Sequence, residues 1–301
     1  MDKANWKTAV YNEKKIRKSE TLQLILLDNL YAQSGSQDII FQGGTALRWV
    51  YGGMRFSEDL DFVTSLPAEN IDKILTKTLK KMESGCIAQF GPGISEQKIK
   101  SRRKSSIQVL FIYRPDGQRE RIAVKLEFEK LKTGHQPEFE KFVLKDLPSV
   151  TRIITSGELV LPYTSSIILV ETPEEILSDK IRALYERQYI KGRDIYDVWW
   201  LTKKLEISPQ WALTHNKFGM YQAPFVAARE ADFFQKKKNV PTITAAIESD
   251  LTRFIPQNIY ALHRGVNFGE FLNTLKEVTS GLLNQGMRSF LKDHERRKSD
   301  T

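Results

Sequence analysis

Asp59 and Asp61 are separated by a single residue, Leu60, and followed by Phe62. In an extended strand side chains alternate, so this spacing puts both carboxylates on one face and the two apolar residues on the other. Two like charges held that close repel, and a divalent cation is a common reason to tolerate them. Mg²⁺ takes oxygen ligands and is usually bound through one or two carboxylates plus substrate phosphates. Upstream stands Gly43-Gly44-Thr45, between the apolar run Ile39-Ile40-Phe41 and the helix-like Ala46-Leu47-Arg48-Trp49. Glycines there let backbone N–H groups approach phosphate oxygens with no Cβ in the way, and Thr45 can add its hydroxyl at a helix N-terminus. Each pattern alone has a plainer reading: a solvated strand face, and a tight turn with a capping threonine. In succession, a glycine cradle and an acidic pair on the next strand describe a site for a nucleoside triphosphate and its Mg²⁺.

A third carboxylate is expected if metal also activates an attacking hydroxyl. Glu127 and Glu129 both lie on the polar side of a later strand; Glu127 is the choice because it is further inside, and either can instead pair with Lys125 or Arg119. In the second half, Ile176, Leu177, Ile181 and Leu184 form one apolar arc of a helix, with Lys180 inside it and Ser178, Arg182 and Glu186 opposite. An inward lysine must snorkel out or meet a buried anion, and a triphosphate supplies one. Asp194 and Asp197 share a helix face at i,i+3, with Arg193 able to reach Asp197; favourable placement at a helix N-terminus explains them as well. The four histidines, at 135, 215, 263 and 294, have no metal-ligand spacing, and there is no P-loop or nucleophile–His–acid set.

The elements that must position these residues follow from periodicity. Helices are predicted over 13–33, 45–50 and 69–83, with strands at 38–41 and from about 57 to 63. A hairpin joins 107–113 to 121–128 through a turn containing Asp116-Gly117. Thr172-Pro173-Glu174-Glu175 is a helix start with a capping box. Helices are then predicted over 174–190, 194–205, 223–235, 242–253 and 268–292, and residues 294–300 are expected to fray. The plan is α+β: a mixed-sheet core over 1–165, then a helical half over 166–301 that completes the active-site cleft.

The 301 residues are 41% hydrophobic and 28% charged, with 46 Lys+Arg against 37 Asp+Glu, a net charge of +9. That balance is globular and favours a polyanionic partner. Five cations crowd into 98–104, and Arg102, Arg103 and Lys104 are the candidate RNA contacts; a solvated loop is the alternative. The longest apolar runs, such as Ile167-Ile168-Leu169-Val170, cannot span a bilayer. Residues 1–7 lack a secretory apolar stretch, and Cys86, the lone cysteine, forms neither an internal disulfide nor a cysteine zinc site. A cytoplasmic protein without membrane contact is expected.

Phe41-Gln42-Gly43-Gly44-Thr45-Ala46-Leu47 followed by Arg55-Phe56-Ser57-Glu58-Asp59-Leu60-Asp61-Phe62, then Lys180, Arg187 and Arg193-Asp194-Ile195-Tyr196-Asp197, resemble the AbiEii/AbiGii family of nucleotidyltransferase toxins. That family is part of the DNA polymerase β-like superfamily, and the likeness covers roughly residues 37–201. It implies a polymerase β-like core and transfer of a nucleotide from an NTP with release of pyrophosphate. It puts Thr45 at the signature Ser or Thr, Asp59 and Asp61 as the metal dyad, Lys180 on the triphosphate and Asp194 as an essential polar residue. Arg55 and Ser57 fall in the nucleotide-binding signature. Some relatives modify tRNA 3′ ends and so stop translation, which implies a tRNA acceptor, a separately encoded antitoxin and a role in phage defence. The competing expectations are a nucleotidyltransferase acting on a small molecule or protein hydroxyl, and a silent RNA- or partner-binding module on the same fold.

Overall fold

The computed structural model describes residues 11–160 and 166–299, with side chains to 294. The chain divides into two compact units. One comprises Lys14–Thr172 with Met220–Ala223; the other holds Pro173–Gly219 and the chain from Pro224 onward.

The first unit is built on a seven-stranded mixed sheet: β1 (Ile39–Gln42), β2 (Asp59–Thr64), β3 (Gly93–Arg102), β4 (Ser106–Pro115), β5 (Ile122–Lys130), β6 (Phe139–Val143) and β7 (Ile167–Glu171), in the order β3-β4-β5-β2-β1-β7-β6. β2 runs antiparallel to β1 and parallel to β5, and β7 is parallel to β1. Helices α1 (Glu13–Tyr31), α2 (Gly43–Trp49), α3 (Ala68–Phe90) and α4 (Pro148–Thr155) complete the unit.

Register is fixed by an aromatic row. Phe41, Phe62 and Phe128 are cross-strand partners on β1, β2 and β5. The Phe62 ring lies 5.5 Å from Phe41 and stacks on Phe128 at 5.0 Å, and all three are fully buried. Such contacts are each worth about 0.5–1.5 kcal/mol beyond area burial. A one-residue slip of β2 would turn Asp61 into the core and Phe62 out of it, so the aromatic row also fixes the face of the carboxylates.

Several elements differ from the sequence reading. Most of the run 98–104 is strand and not loop: Lys98 to Arg102 lie in β3, an edge strand with a bulge between Ile99 and Ser101. Lysines on an edge strand discourage pairing with another chain. The run Ile167-Ile168-Leu169-Val170 is an interior strand, β7, and Ile168, Leu169 and Val170 are buried. Apolar residues in succession without alternation are the signature of a strand covered on both faces.

The second unit is helical: α5 (Pro173–Glu186), α6 (Gly192–Lys203), α7 (Trp211–Met220), α8 (Val240–Phe254), α9 (Gln257–Gly265), α10 (Gly269–Leu282) and α11 (Arg288–Ser299). The helix expected over 223–235 does not form. There the chain bonds to α5, the Ala228 amide donating to the Tyr185 carbonyl at 2.8 Å and Arg229 Nη1 to the Leu184 carbonyl at 2.7 Å, and its end forms a short 3-10 turn over Phe233–Gln235. The predicted 268–292 helix is two, α10 and α11, broken at a π turn over Leu283–Met287. The segment from 294, expected to fray, lies in α11, whose helix continues to Ser299. No helix among the described residues is long and apolar enough to cross a membrane.

Candidate active site

The face of the sheet opposite the aromatic row carries the candidate site residues. Leu60 and Phe62 are fully buried while Asp59 and Asp61 are partly open, as alternation requires. A polar row crosses four strands: Gln42 of β1, Asp61 of β2, Glu127 of β5 and Gln108 of β4 are successive register partners. Glu127 thus lies beside Asp61, whereas Glu129 faces Val63. Gln108 Nε2 donates to Glu127 Oε1 at 3.0 Å.

Lys125 is the register partner of Asp59 on the same face. Its Nζ is 3.1 Å from Asp59 Oδ2 and 3.2 Å from Glu127 Oε2. Burial opposes its charge, but Asp59, Glu127 and Asp61 together outweigh burial and raise its pKa above the ordinary lysine value. The sequence reading saw Lys125 as one partner for a solvated glutamate. Its pairing with Asp59 was not legible, because that depends on β2 and β5 being neighbours.

The glycines admit two side chains. Gly43 has a φ of 78°, and a Cβ there would stand 2.8 Å from Asp61 Oδ2. A Cβ on Gly44 would meet the Arg55 guanidinium, with Nη2 at 2.1 Å. Arg55 is buried, and its Nη1 donates to the Phe56 carbonyl at 2.9 Å. Thr45 is fully buried and its hydroxyl donates to the main-chain carbonyl of Asp59, tying the start of α2 to the start of β2. Ser57 is buried, and its carbonyl accepts from Gln23 Nε2 at 2.6 Å. The turn, the acidic strand and the segment between them are therefore one hydrogen-bonded assembly.

Among the described residues no group of three or more His, Cys, Asp or Glu side chains is arranged to hold a metal ion. Mg²⁺ does not require such a cage, since substrate phosphates and water supply much of its shell. Asp59 and Asp61, on one strand face beside a turn without Cβ atoms, fit that requirement. Glu127 is their neighbour, but both its oxygens face partners, Gln108 and Lys125.

In the helical unit Lys180 meets protein anions. Its Nζ is 3.0 Å from Asp194 Oδ1 and 2.8 Å from Asp197 Oδ2, and Arg187 Nη1 pairs with Asp194 Oδ2. Asp194 is buried, which by itself would raise its pKa; Arg187, Lys180 and Lys191 outweigh that and hold the carboxyl far below the usual range. Arg193 stacks over the Phe254 ring, 4.9 Å from its centroid. The polar side of α5 is buried too, including Ser178 and Arg182. Its Glu175 and Asp179 each approach the fully buried Lys217 Nζ at 2.8 Å. Sequence reasoning missed Lys217; Glu175 and Asp179 at i,i+4 were the available signal.

Of the basic run, Arg102 is held by both carboxylate oxygens of Asp72, at 2.7 and 2.8 Å. Arg103 and Lys104 follow it in an exposed turn.

Two solved structures share the fold. JHP933 from Helicobacter pylori is 18% identical with a TM-score of 0.53, covering 92% of this chain and 97% of that one. A candidate nucleotidyltransferase from H. pylori is 18% identical with a TM-score of 0.50, covering 91% and 98%. No curated protein sequence matches significantly. The model for the nucleotidyl transferase AbiEii toxin of type IV toxin–antitoxin systems matches residues 25–274, and with most of its length so covered the chain belongs to that family of nucleotidyltransferases.

Proposed function

We propose that this nucleotidyltransferase moves a nucleotide from an NTP to an RNA hydroxyl, such as a tRNA 3′ end, and that it acts as the toxin of a toxin–antitoxin pair in phage defence. The observation carrying the site assignment is the polar row Asp61–Glu127 beside Asp59 on one sheet face, abutting the glycine turn. Asp59 and Asp61 would hold Mg²⁺, with Glu127 as third carboxylate. The metal, when bound, offsets phosphate charge and lowers the pKa of the acceptor hydroxyl.

The chain's own groups do the rest by position and charge. The turn at Gly43-Gly44 lets Asp61 pack against its backbone, and buried Arg55 places a cation against it. Thr45 acts through Asp59, fixing the strand at its first carboxylate. Lys180 stabilises charge on the departing pyrophosphate. Asp194 is a positioning residue, because it orients both Lys180 and Arg187. An RNA acceptor is favoured over a small molecule by the net charge of +9 and by the exposed turn carrying Arg103 and Lys104. A separately encoded antitoxin is the expected partner, consistent with the type IV family description.

The test is incubation with each α-labelled NTP and total RNA, with Mg²⁺ or with EDTA. Label is expected in a small RNA, from one or two NTPs and in Mg²⁺ alone. Label in protein or in a small molecule, with none in RNA, would overturn the acceptor assignment; equal transfer in EDTA would overturn the metal assignment.

A further inference from the structure

The acidic face of β2 already holds a cation. Lys125 Nζ is within 3.2 Å of both Asp59 Oδ2 and Glu127 Oε2, two of the three carboxylates to which metal is assigned above. The sheet sets this placement: Lys125 is opposite Asp59 in the β2–β5 pairing and two residues before Glu127, so all three side chains share one face. Gln108 holds Glu127 Oε1, which leaves Oε2 turned to the ammonium.

A divalent cation at these oxygens, at a distance of about 2.1 Å, would sit within a few ångströms of the lysine charge. Two cations that close repel strongly in a partly desolvated site. A lysine has a flexible four-carbon stem and can leave, but it leaves at low cost when a new anion takes it up. A metal ion arriving with a triphosphate brings that anion; a bare metal ion does not.

We propose that Lys125 is a displaceable resident counter-ion. It neutralises the acidic face in the substrate-free protein, competes with a free divalent cation for Asp59 and Glu127, and yields when the cation arrives with a nucleoside triphosphate. The consequence is positive coupling: metal binds weakly alone and nucleotide strengthens it. This rests on the metal assignment to Asp59, Asp61 and Glu127, so the test separates the two.

The probe is Mn²⁺ alone, with free ion measured by its EPR signal during titration into the full-length protein. Lys125→Met and Lys125→Gln are expected to bind Mn²⁺ roughly tenfold or more tightly than the unaltered protein, and Lys125→Arg to bind as the unaltered protein does. Asp61→Asn added to Lys125→Met should abolish that binding. Neutral variants that bind no tighter, while Asp61→Asn still weakens binding, overturn the counter-ion and leave the metal site standing. Binding indifferent to Asp61→Asn overturns the metal assignment itself. Melting temperatures guard against loss of fold: a counter-ion's work can be done by the divalent ion, so Mn²⁺ should raise the melting temperature of the neutral variants more than that of the unaltered protein. Neutral variants that stay unfolded in millimolar Mn²⁺ would show Lys125 to be fixed structure and overturn the proposal.

Discussion

Asp61 on β2 and Glu127 on β5 are direct partners in a parallel strand pair, whereas Glu129, two residues further on, is opposite Val63. The sequence left both glutamates eligible, and the register separates them. Glu127→Gln, which keeps the shape and an acceptor oxygen, is expected to lower nucleotide transfer on the order of 100-fold or more. Glu129→Gln should change it by no more than a few-fold. Comparable loss in both would dissociate the third carboxylate from its position beside Asp61.

The glycine turn allows backbone strain to be distinguished from a blocked site. Gly43→Ala forces a positive φ on a residue with a Cβ, costing about 1–2 kcal/mol, and sets that Cβ 2.8 Å from Asp61 Oδ2. Gly117→Ala imposes similar strain at φ 70° in the β4–β5 turn, where a Cβ meets nothing within 4 Å. Gly117→Ala should lose stability in urea from strain alone, Gly43→Ala at least as much, and Gly43→Ala alone should lose transfer. Normal activity in Gly43→Ala would mean that the Gly43–Asp61 approach is incidental.

Acid sensitivity should trace to Asp194. Its folded pKa lies below the ordinary aspartate value of about 3.9. The carboxylate's contribution is therefore complete above the unfolded pKa and is lost as pH falls below it toward the folded pKa. Urea unfolding from pH 6 down to pH 3 should show stability falling more steeply in the unaltered protein than in Asp194→Asn. Parallel curves below pH 4 would contradict the ion-pair account of this residue.

The motifs were legible because they are local. A D-x-D spacing, two glycines and the helix start at Pro173 each declare a conformation within a few residues, and β1, β2, α2, α5 and α6 formed near the predicted positions. What failed to show was everything decided by neighbours distant in sequence. Lys125 gains its meaning from pairing with Asp59, far earlier in the chain. Lys217 reads as a surface cation until α7 places it against Glu175 and Asp179. The 223–235 segment has helical composition, yet its backbone bonds to the end of α5.

Salt dependence should sort the basic run. Arg103 and Lys104 are exposed, while Arg102 is already neutralised by Asp72. If RNA is the acceptor, Arg103→Gln and Lys104→Gln should each reduce the log–log slope of RNA affinity against salt by about 0.7–0.9, and Arg102→Gln by clearly less. Unchanged slopes for 103 and 104 would assign this turn to solvent. An equal effect at 102 would show that RNA displaces Asp72.

Lys180 offers the sharpest separation of structure from chemistry. From the apolar arc of α5 alone, Lys180→Met would relieve an inward cation and raise stability. The aspartates reverse that expectation. Nζ lies 3.0 Å from Asp194 and 2.8 Å from Asp197, both buried, so Met leaves Asp197 without this ammonium and Asp194 more dependent on Arg187. Breaking a buried ion pair from one side costs about 3–5 kcal/mol, and Lys180→Met should lose stability toward the lower end of that range, because Arg187 remains. Asp197→Asn added to Lys180→Met removes the surplus negative charge and should restore much of the loss. Transfer then decides the role. If Lys180 serves the departing pyrophosphate, the stabilised double variant should remain as inactive as Lys180→Met, with triphosphate binding weakened more than monophosphate binding. If Lys180 merely balances its aspartates, activity should return with stability, and the assignment to the triphosphate would have to be abandoned.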